Sequence, residues 1–279
     1  MSPDLPCECL VLVVVLAGIL LFPGVLAENT SSVLPAEHQE NLTLYSEPLP
    51  PYNYLENGTV KGFTIDILDE ISAKTGTNIS RDQVHIVPWE EGYKAARNGT
   101  HTVIFSTARI SEREDLFKWV GPISTERYVL FAPHGSKITI NTPDDLKDQK
   151  IGVITGDASL SQLLADGVKD SQFVNAKNVS DLISMTEEKK IDLWAYPEIT
   201  GLYYIGEITG NDDSFTVVYP LEEVGIYFAF SKDISDATVS SYQRALDDLK
   251  QQKNETGVSR YDTIMSRYVH PEPVSSGQT

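Results

Sequence analysis

Phe105-Ser106-Thr107-Ala108-Arg109-Ile110-Ser111-Glu112-Arg113, running on through Phe117-Lys118-Trp119-Val120-Gly121-Pro122-Ile123, is the stretch from which the chain is read. Val103-Ile104-Phe105 before it is apolar and β-branched, a buried strand. The strand breaks into hydroxyls, delivers two arginines and returns to apolar residues. Polar loops at strand ends are where α/β proteins place ligands. The planar fork of arginine matches a carboxylate or phosphate in bidentate fashion. The segment therefore predicts the anion-holding floor of a ligand cleft.

Outward from this stretch, strand and helix patterns alternate. Leu42 to Tyr45 is a strand, and the prolines at 48, 50 and 51 end it. Tyr52 and Tyr54 line a loop that closes on the Asn57-Gly58 turn. Ile65, Leu68 and Ile71 mark a helix to Lys74, stopped by Gly76. A strand at Val84–Val87 and a helix at Trp89–Arg97 follow, before the strand at 103–105. That order predicts parallel pairing with right-handed crossovers. Tyr128–Ala132 is a further strand, ended by Pro133-His134-Gly135. A second series runs from Ile151–Ile154 through strands at 173–174, 191–195, 215–219 and 226–230 and the helices between them. A long amphipathic helix at Thr238–Lys250 and a last one near Val258–Tyr268 close the chain.

Composition bounds the function. A chain of 279 residues, 41% hydrophobic and 22% charged, has ample material for a core. A formal net charge of -18 argues against nucleic acid and anionic membrane surfaces as partners. Both cysteines, Cys7 and Cys9, precede an apolar run from Leu10 to Leu26 that ends in Val25-Leu26-Ala27. Disulfides and thiol nucleophiles are thereby excluded from everything after it. The run reads as an export signal cleaved after Ala27 or as an N-terminal anchor, with 28–41 as a linker. Asn29, Asn41, Asn57, Asn78, Asn98, Asn178 and Asn254 each open an Asn-X-Ser/Thr triplet, which predicts an exported, glycosylated cell-surface protein. The five histidines show no metal-ligand spacing, so no metal or other cofactor is expected. No Gly-X-Ser-X-Gly elbow or phosphate-cradling glycine loop is present.

Four segments together resemble the polar-amino-acid type of solute-binding protein that serves ABC importers. These are Pro50-Pro51-Tyr52-Asn53-Tyr54 followed by Gly62-Phe63-Thr64-Ile65-Asp66, then Ser106 to Arg113, then Leu146 to Gly156, and last Ala229-Phe230-Ser231-Lys232 with the helix through Leu246-Asp247-Asp248-Leu249. The resemblance covers Leu42 to Tyr268. It implies an α/β, two-lobe periplasmic-binding-protein type II fold, with mixed sheets flanked by helices and two hinge strands. Residues 42–132 and 220–270 would form lobe 1 and 133–219 lobe 2, with 271–279 a disordered tail. A ligand would sit between the lobes, which close over it.

Carried onto this sequence, the resemblance makes Arg113 the partner of a ligand carboxylate and places Ser106 and Thr107 beside it. Asp157 and Ala158 fall at a helix start facing the cleft, with Asp157 where a threonine is common. Glu198 stands one place from where an acid for the ligand ammonium is expected. Arg109 is additional to the pattern. Tyr52, Tyr54 and Trp194 are candidates for pocket walls, and Glu47 follows the first strand where a ligand group would lie. The implied function is capture of a small carboxylate-bearing solute, an amino acid or relative, for an ABC importer permease. The protein would be a monomer that meets the membrane only through its leader or anchor. Two alternatives stay open. One is an enzyme like the cyclohexadienyl dehydratases, which are similar to this family and would need Glu198 or Glu47 as general acid. The other is a tethered ligand sensor.

Overall fold

The computed structural model describes residues 41–268. The leader or anchor reading of 1–27, the linker short of Asn41 and the tail at 271–279 lie outside the described residues. The first half of the chain gives β1 (Thr43–Ser46), a hairpin of β2 (Tyr54–Glu56) and β3 (Thr59–Lys61), α1 (Phe63–Thr75), β4 (Val84–Ile86), α2 (Trp89–Asn98) and β5 (Thr102–Ala108). A single turn of 3-10 helix at Ser111–Leu116 leads into β6 (Lys118–Pro133). Then come β7 (Ile151–Ile154), α3 (Ala158–Ala165), β8 (Phe173–Ala176), α4 (Val179–Glu187), β9 (Leu193–Pro197) and α5 (Glu198–Thr209). The chain ends with β10 (Phe215–Phe230), α6 (Asp236–Gln251) and α7 (Arg260–Met265).

Eight strands form one mixed sheet in the order β4-β1-β5-β10-β6-β9-β7-β8. β1 is parallel to β4 and β5, and β7 is parallel to β8 and β9, as strand–helix alternation demands. The two halves are joined by β6 and β10, an antiparallel pair of 16 residues each. The short strands expected at 128–132, 215–219 and 226–230 are parts of these two. Pro122 and Pro220 conceal that in the sequence. Each sits beside a register shift in the β6–β10 ladder, where a residue without an N–H is tolerated. β10 pairs with β5 through Ile226–Phe230, while β6 pairs with β9 through Tyr128–Phe131. The pair therefore changes its outer neighbours close to Glu126, upstream of the Pro133-His134-Gly135 punctuation.

Helices cover the sheet with the faces their periodicity supplies. In α6 the buried residues Thr238, Ser241, Tyr242, Ala245, Leu246 and Leu249 recur at three- and four-residue spacing, and Ser235 caps the helix by accepting from Thr238 N at 3.1 Å. Trp194 is sealed within β9, stacked on Phe131 with ring centroids 4.3 Å apart. Each large apolar side chain buried this way contributes roughly 1.5–3 kcal/mol. Among the described residues no helix is long and apolar enough to cross a membrane.

Candidate functional site

The parallel strands β1, β4, β7, β8 and β9 all deliver their C-terminal ends to one place. Glu47 follows β1, Val87 to Glu90 follow β4, Thr155 follows β7, Lys177 follows β8 and Tyr196 lies near the end of β9. These residues, with Tyr204 of α5, line a cavity of about 840 Å³. Crevices at the carboxyl ends of strands are the general binding position of open α/β sheets.

The Phe105–Arg113 segment lies behind this cavity. Ser106 takes a positive φ of 54°, a conformation uncommon for a residue with a Cβ. Its Oγ donates to Asn53 Oδ1 and lies 3.1 Å from Thr64 Oγ1, so its hydroxyl is engaged within the protein. Thr107 is fully buried and its Oγ1 has no hydrogen-bond partner among the described residues. The 3-10 turn then carries Arg113 inward. The residue is 4% exposed, and its guanidinium lies over Trp89 at 4.6 Å and Tyr93 at 5.4 Å. It donates to Ala108 O at 3.0 Å and Gly156 O at 2.7 Å. Trp89 Nε1 donates to the same Gly156 carbonyl at 3.0 Å. One backbone oxygen at the end of β7 thus joins α2 and the arginine turn across the cleft. Gly156 holds φ +74°, which glycine adopts without a Cβ penalty.

Two carboxylates face Arg113. Asp157 is 8% exposed and caps α3, accepting from Ser159 N at 2.9 Å and from the Ser159 hydroxyl. Burial raises its pKa, while the Ser159 hydrogen bonds and the Arg113 charge pull it down. Ala158, the first residue of α3, is buried beside it. Glu47 is half-buried at the edge of the cavity, and its pKa rises to about 8. Burial is the main cause, repulsion from Asp157 adds to it, and Arg113 offsets part. Tyr128 and Tyr196, also buried, have their phenols pushed well above the usual range, first by burial and then by these carboxylates. The site is a partly open, aromatic-walled pocket with Glu47, Glu90 and Asp157 against Lys177 and Arg113.

The other candidates fall elsewhere. Tyr52 is buried, packs on Phe63 and donates its O–H to Glu126. Tyr54 is half-buried on β2. Arg109 is exposed and pairs with Glu114, its Nε 2.8 Å from Oε2. Glu198 pairs with Arg127 at the start of α5. Of the three tryptophans it is Trp89 that reaches the cavity, while Trp194 is sealed in the core. Sequence reasoning had no place in the site for Lys177, Tyr196 or Tyr204. The first two could have been found by asking which side chains follow each parallel strand. Tyr204 lies inside a helix and left no such signal.

Residues 42–258 match the family described as bacterial extracellular solute-binding proteins, family 3. A probable histidine-binding protein of Campylobacter jejuni is 22% identical over 265 residues, covering 90% of this chain and 96% of that protein. Among solved structures, an ancestral arginine-binding protein bound to arginine is similar at a TM-score of 0.67 and 20% identity, covering 83% of this chain and 99% of that one. A histidine kinase sensor domain with similarity to periplasmic binding proteins reaches a TM-score of 0.71 at 17% identity, covering 83% and 97%. These likenesses establish the periplasmic-binding-protein type II fold.

Proposed function

The chain belongs to the bacterial extracellular solute-binding proteins of family 3, and on that premise we propose that it captures an amino acid with a cationic side chain and presents it to an ABC importer. The observation that carries this reading is the charge arrangement of the cavity. Glu47 and Glu90 stand on its wall with Lys177 as the one lining cation among the described residues, and Asp157 lies behind together with Arg113. Trp89, Tyr196 and Tyr204 supply π faces that favour a cation. A cationic group entering beside Glu47 restores its ionised form. Arg113 keeps N–H groups to spare after its two carbonyl contacts and is the partner for the α-carboxylate. The relatives named for histidine and arginine support the same ligand class.

Closure brings the lobe at 133–219 onto the one formed by 42–132 and 220–270. Export and glycosylation are supported by Asn41, Asn57, Asn78, Asn98, Asn178 and Asn254, whose positions are all exposed. The similarity to a kinase sensor domain favours a second use of the same cleft, sensing for a separate signalling chain.

Calorimetric titration with L-arginine, L-lysine, L-histidine, L-glutamine and L-glutamate tests the reading. Saturable binding of the basic amino acids, tighter than of glutamine and with glutamate weakest, is expected. Absence of binding to every amino acid, or preference for glutamate, would overturn it.

A further inference from the structure

Away from the cavity, the two halves of the molecule meet again around Glu126. This residue lies on β6 where the strand changes its outer neighbours: Glu126 pairs with Val224 of β10, and β9 joins from Tyr128 onward. The residue is 2% exposed. It accepts the O–H of Tyr52, from the loop between β1 and β2, and the backbone N–H of Ile199 in the first turn of α5. One carboxyl group therefore ties the crossing strand to an element on either side.

The loop that it holds is stiff and reaches the cavity. Leu49 and Asn53 exchange backbone hydrogen bonds at 2.8 and 3.0 Å, and the Asn53 amide donates to the Glu47 carbonyl. Tyr204 of α5 adds an O–H contact to Pro48 O at 3.3 Å. A Cβ at Gly62 would stand 2.1 Å from Tyr52 O, so only glycine lets α1 close on this loop. Whatever moves Tyr52 relative to α5 also moves Glu47 relative to Tyr196 and Tyr204.

We propose that Glu126 is a positioning residue for lobe closure, whose carboxyl group clamps the Glu47–Asn53 loop to α5 and whose ionisation opposes the closed form. The groups facing it are Tyr52 on the loop, Glu198 on α5 with its partner Arg127, and Tyr128 further along β6, with Tyr261 of α7 beyond Tyr52. Burial raises the Glu126 pKa to about 7, Glu198 adds to the rise, and the bonds from Tyr52, Ile199 and Arg127 oppose it. Parting Tyr52 from α5 wets the carboxyl group and returns it towards its usual 4.5. The closed form then holds the proton more tightly than the open one. Closure is fully favoured below about pH 4.5, weakens as pH rises to about 7 and is level above that. If opening wets the group completely, the closed-to-open ratio changes by up to a few hundredfold across this window.

The inference rests on the hinged closure proposed above but not on the identity of the ligand, so the protein without ligand tests it. Fluorophores on Ala73→Cys in α1 and Ser184→Cys in α4, with Cys7→Ser and Cys9→Ser, report the distance between the halves by energy transfer. The separation is expected to grow between pH 5 and 7, and E126Q to respond less across that range, keeping only the part that Glu47 and Asp157 supply. Tyr52→Phe removes a donor to the carboxylate and should move the midpoint to higher pH. Slow pH responses of Glu47 and Asp157 are common to wild type and E126Q and cancel in the comparison. A wild-type distance that answers saturating L-arginine but not pH, or an E126Q response equal to wild type, overturns the role of Glu126 alone. A distance unmoved by pH and by each of the five amino acids of the titration overturns closure itself and the clamp with it.

Discussion

Arg109 and Arg113 leave the same strand four residues apart and end in opposite physical situations. Arg109 is exposed, holds the Glu114 carboxylate and lies over the rings of Trp119 at 5.6 Å and Tyr227 at 5.2 Å. Arg113 is buried, held by two backbone carbonyls and two rings, with Asp157 and Glu47 acting on it only through space. The 3-10 turn from Ser111 makes the difference by turning one side chain out and the next in. A cation already paired with a carboxylate in water has little to offer a ligand. One held by neutral dipoles in a dry site keeps its charge available. An isolated buried charge is costly, so the fold must supply those dipoles, and Gly156 is where the opposite half does so.

The sharpest way to break this contrast is Arg113→Ala. It leaves the Ala108 and Gly156 carbonyls without their charged donor and removes the flat surface against Trp89. Hydrogen bonds to charged groups contribute about 1.5–3 kcal/mol each. Loss of about 3 kcal/mol in urea unfolding is expected, together with at least a hundredfold loss of amino-acid affinity by calorimetry. Arg113→Lys should recover little of either, because an ammonium cannot reach both carbonyls in the geometry of the fork. Unchanged affinity in the alanine variant would remove Arg113 from the site.

Much of this arrangement is legible in the sequence, and the limits are physical. The alternation of strand and helix patterns identifies the parallel halves, and the Phe105–Arg113 signature identifies where a strand meets the cleft. The long strands β6 and β10 are hidden because Pro122 and Pro220 look like breaks, when register shifts absorb them. Trp89 follows Ile86-Val87-Pro88 and Trp194 follows Leu193, so each has apolar residues on its N-terminal side. Their fates separate only because one follows a strand end and the other lies inside a strand. Without the family resemblance the sequence does not tell Arg109 from Arg113, since both follow a buried strand among hydroxyls. Glu47 was visible as a position after β1, but a raised pKa depends on what surrounds it in three dimensions, including Asp157 from far along the chain. The Tyr52–Glu126 contact spans 74 residues and leaves no local pattern at all.

Glu47→Gln probes how the acids share the field of Arg113. The Glu47 pKa is raised to about 8 from its usual 4.5, so ionising it costs the empty closed protein stability. Its contribution is fully present below about pH 4.5 and lost as pH rises through about 8. Glu126 adds a similar decline that ends near 7, so the last part, between about 7 and 8, belongs to Glu47 among these two. Thermal unfolding of the ligand-free protein should fall in midpoint across pH 7–8 in wild type and hold level there in Glu47→Gln. With a basic amino acid bound the sign reverses. The ligand cation favours ionised Glu47, so affinity rises with pH up to about 8 and the glutamine variant loses roughly tenfold to a hundredfold. A variant with wild-type pH dependence in both measurements would show that Glu47 does not sense the cavity.

Arg109→Ala should have the smallest effect, and its smallness is what gives the comparison content. The side chain loses an exposed ion pair and contacts with two partly exposed rings, which together are worth about 1–2 kcal/mol, below the loss expected for Arg113→Ala. Salt screens what remains, so the difference from wild type in urea unfolding should shrink further between low and high ionic strength. Amino-acid affinity should stay within about twofold, because the strand that positions Arg113 is held by backbone bonds that survive, including Arg109 N to Gly225 O at 3.1 Å. A tenfold loss of affinity in this variant would mean that the exposed arginine reaches the ligand in solution. The division between the two arginines drawn from burial would then have to be given up.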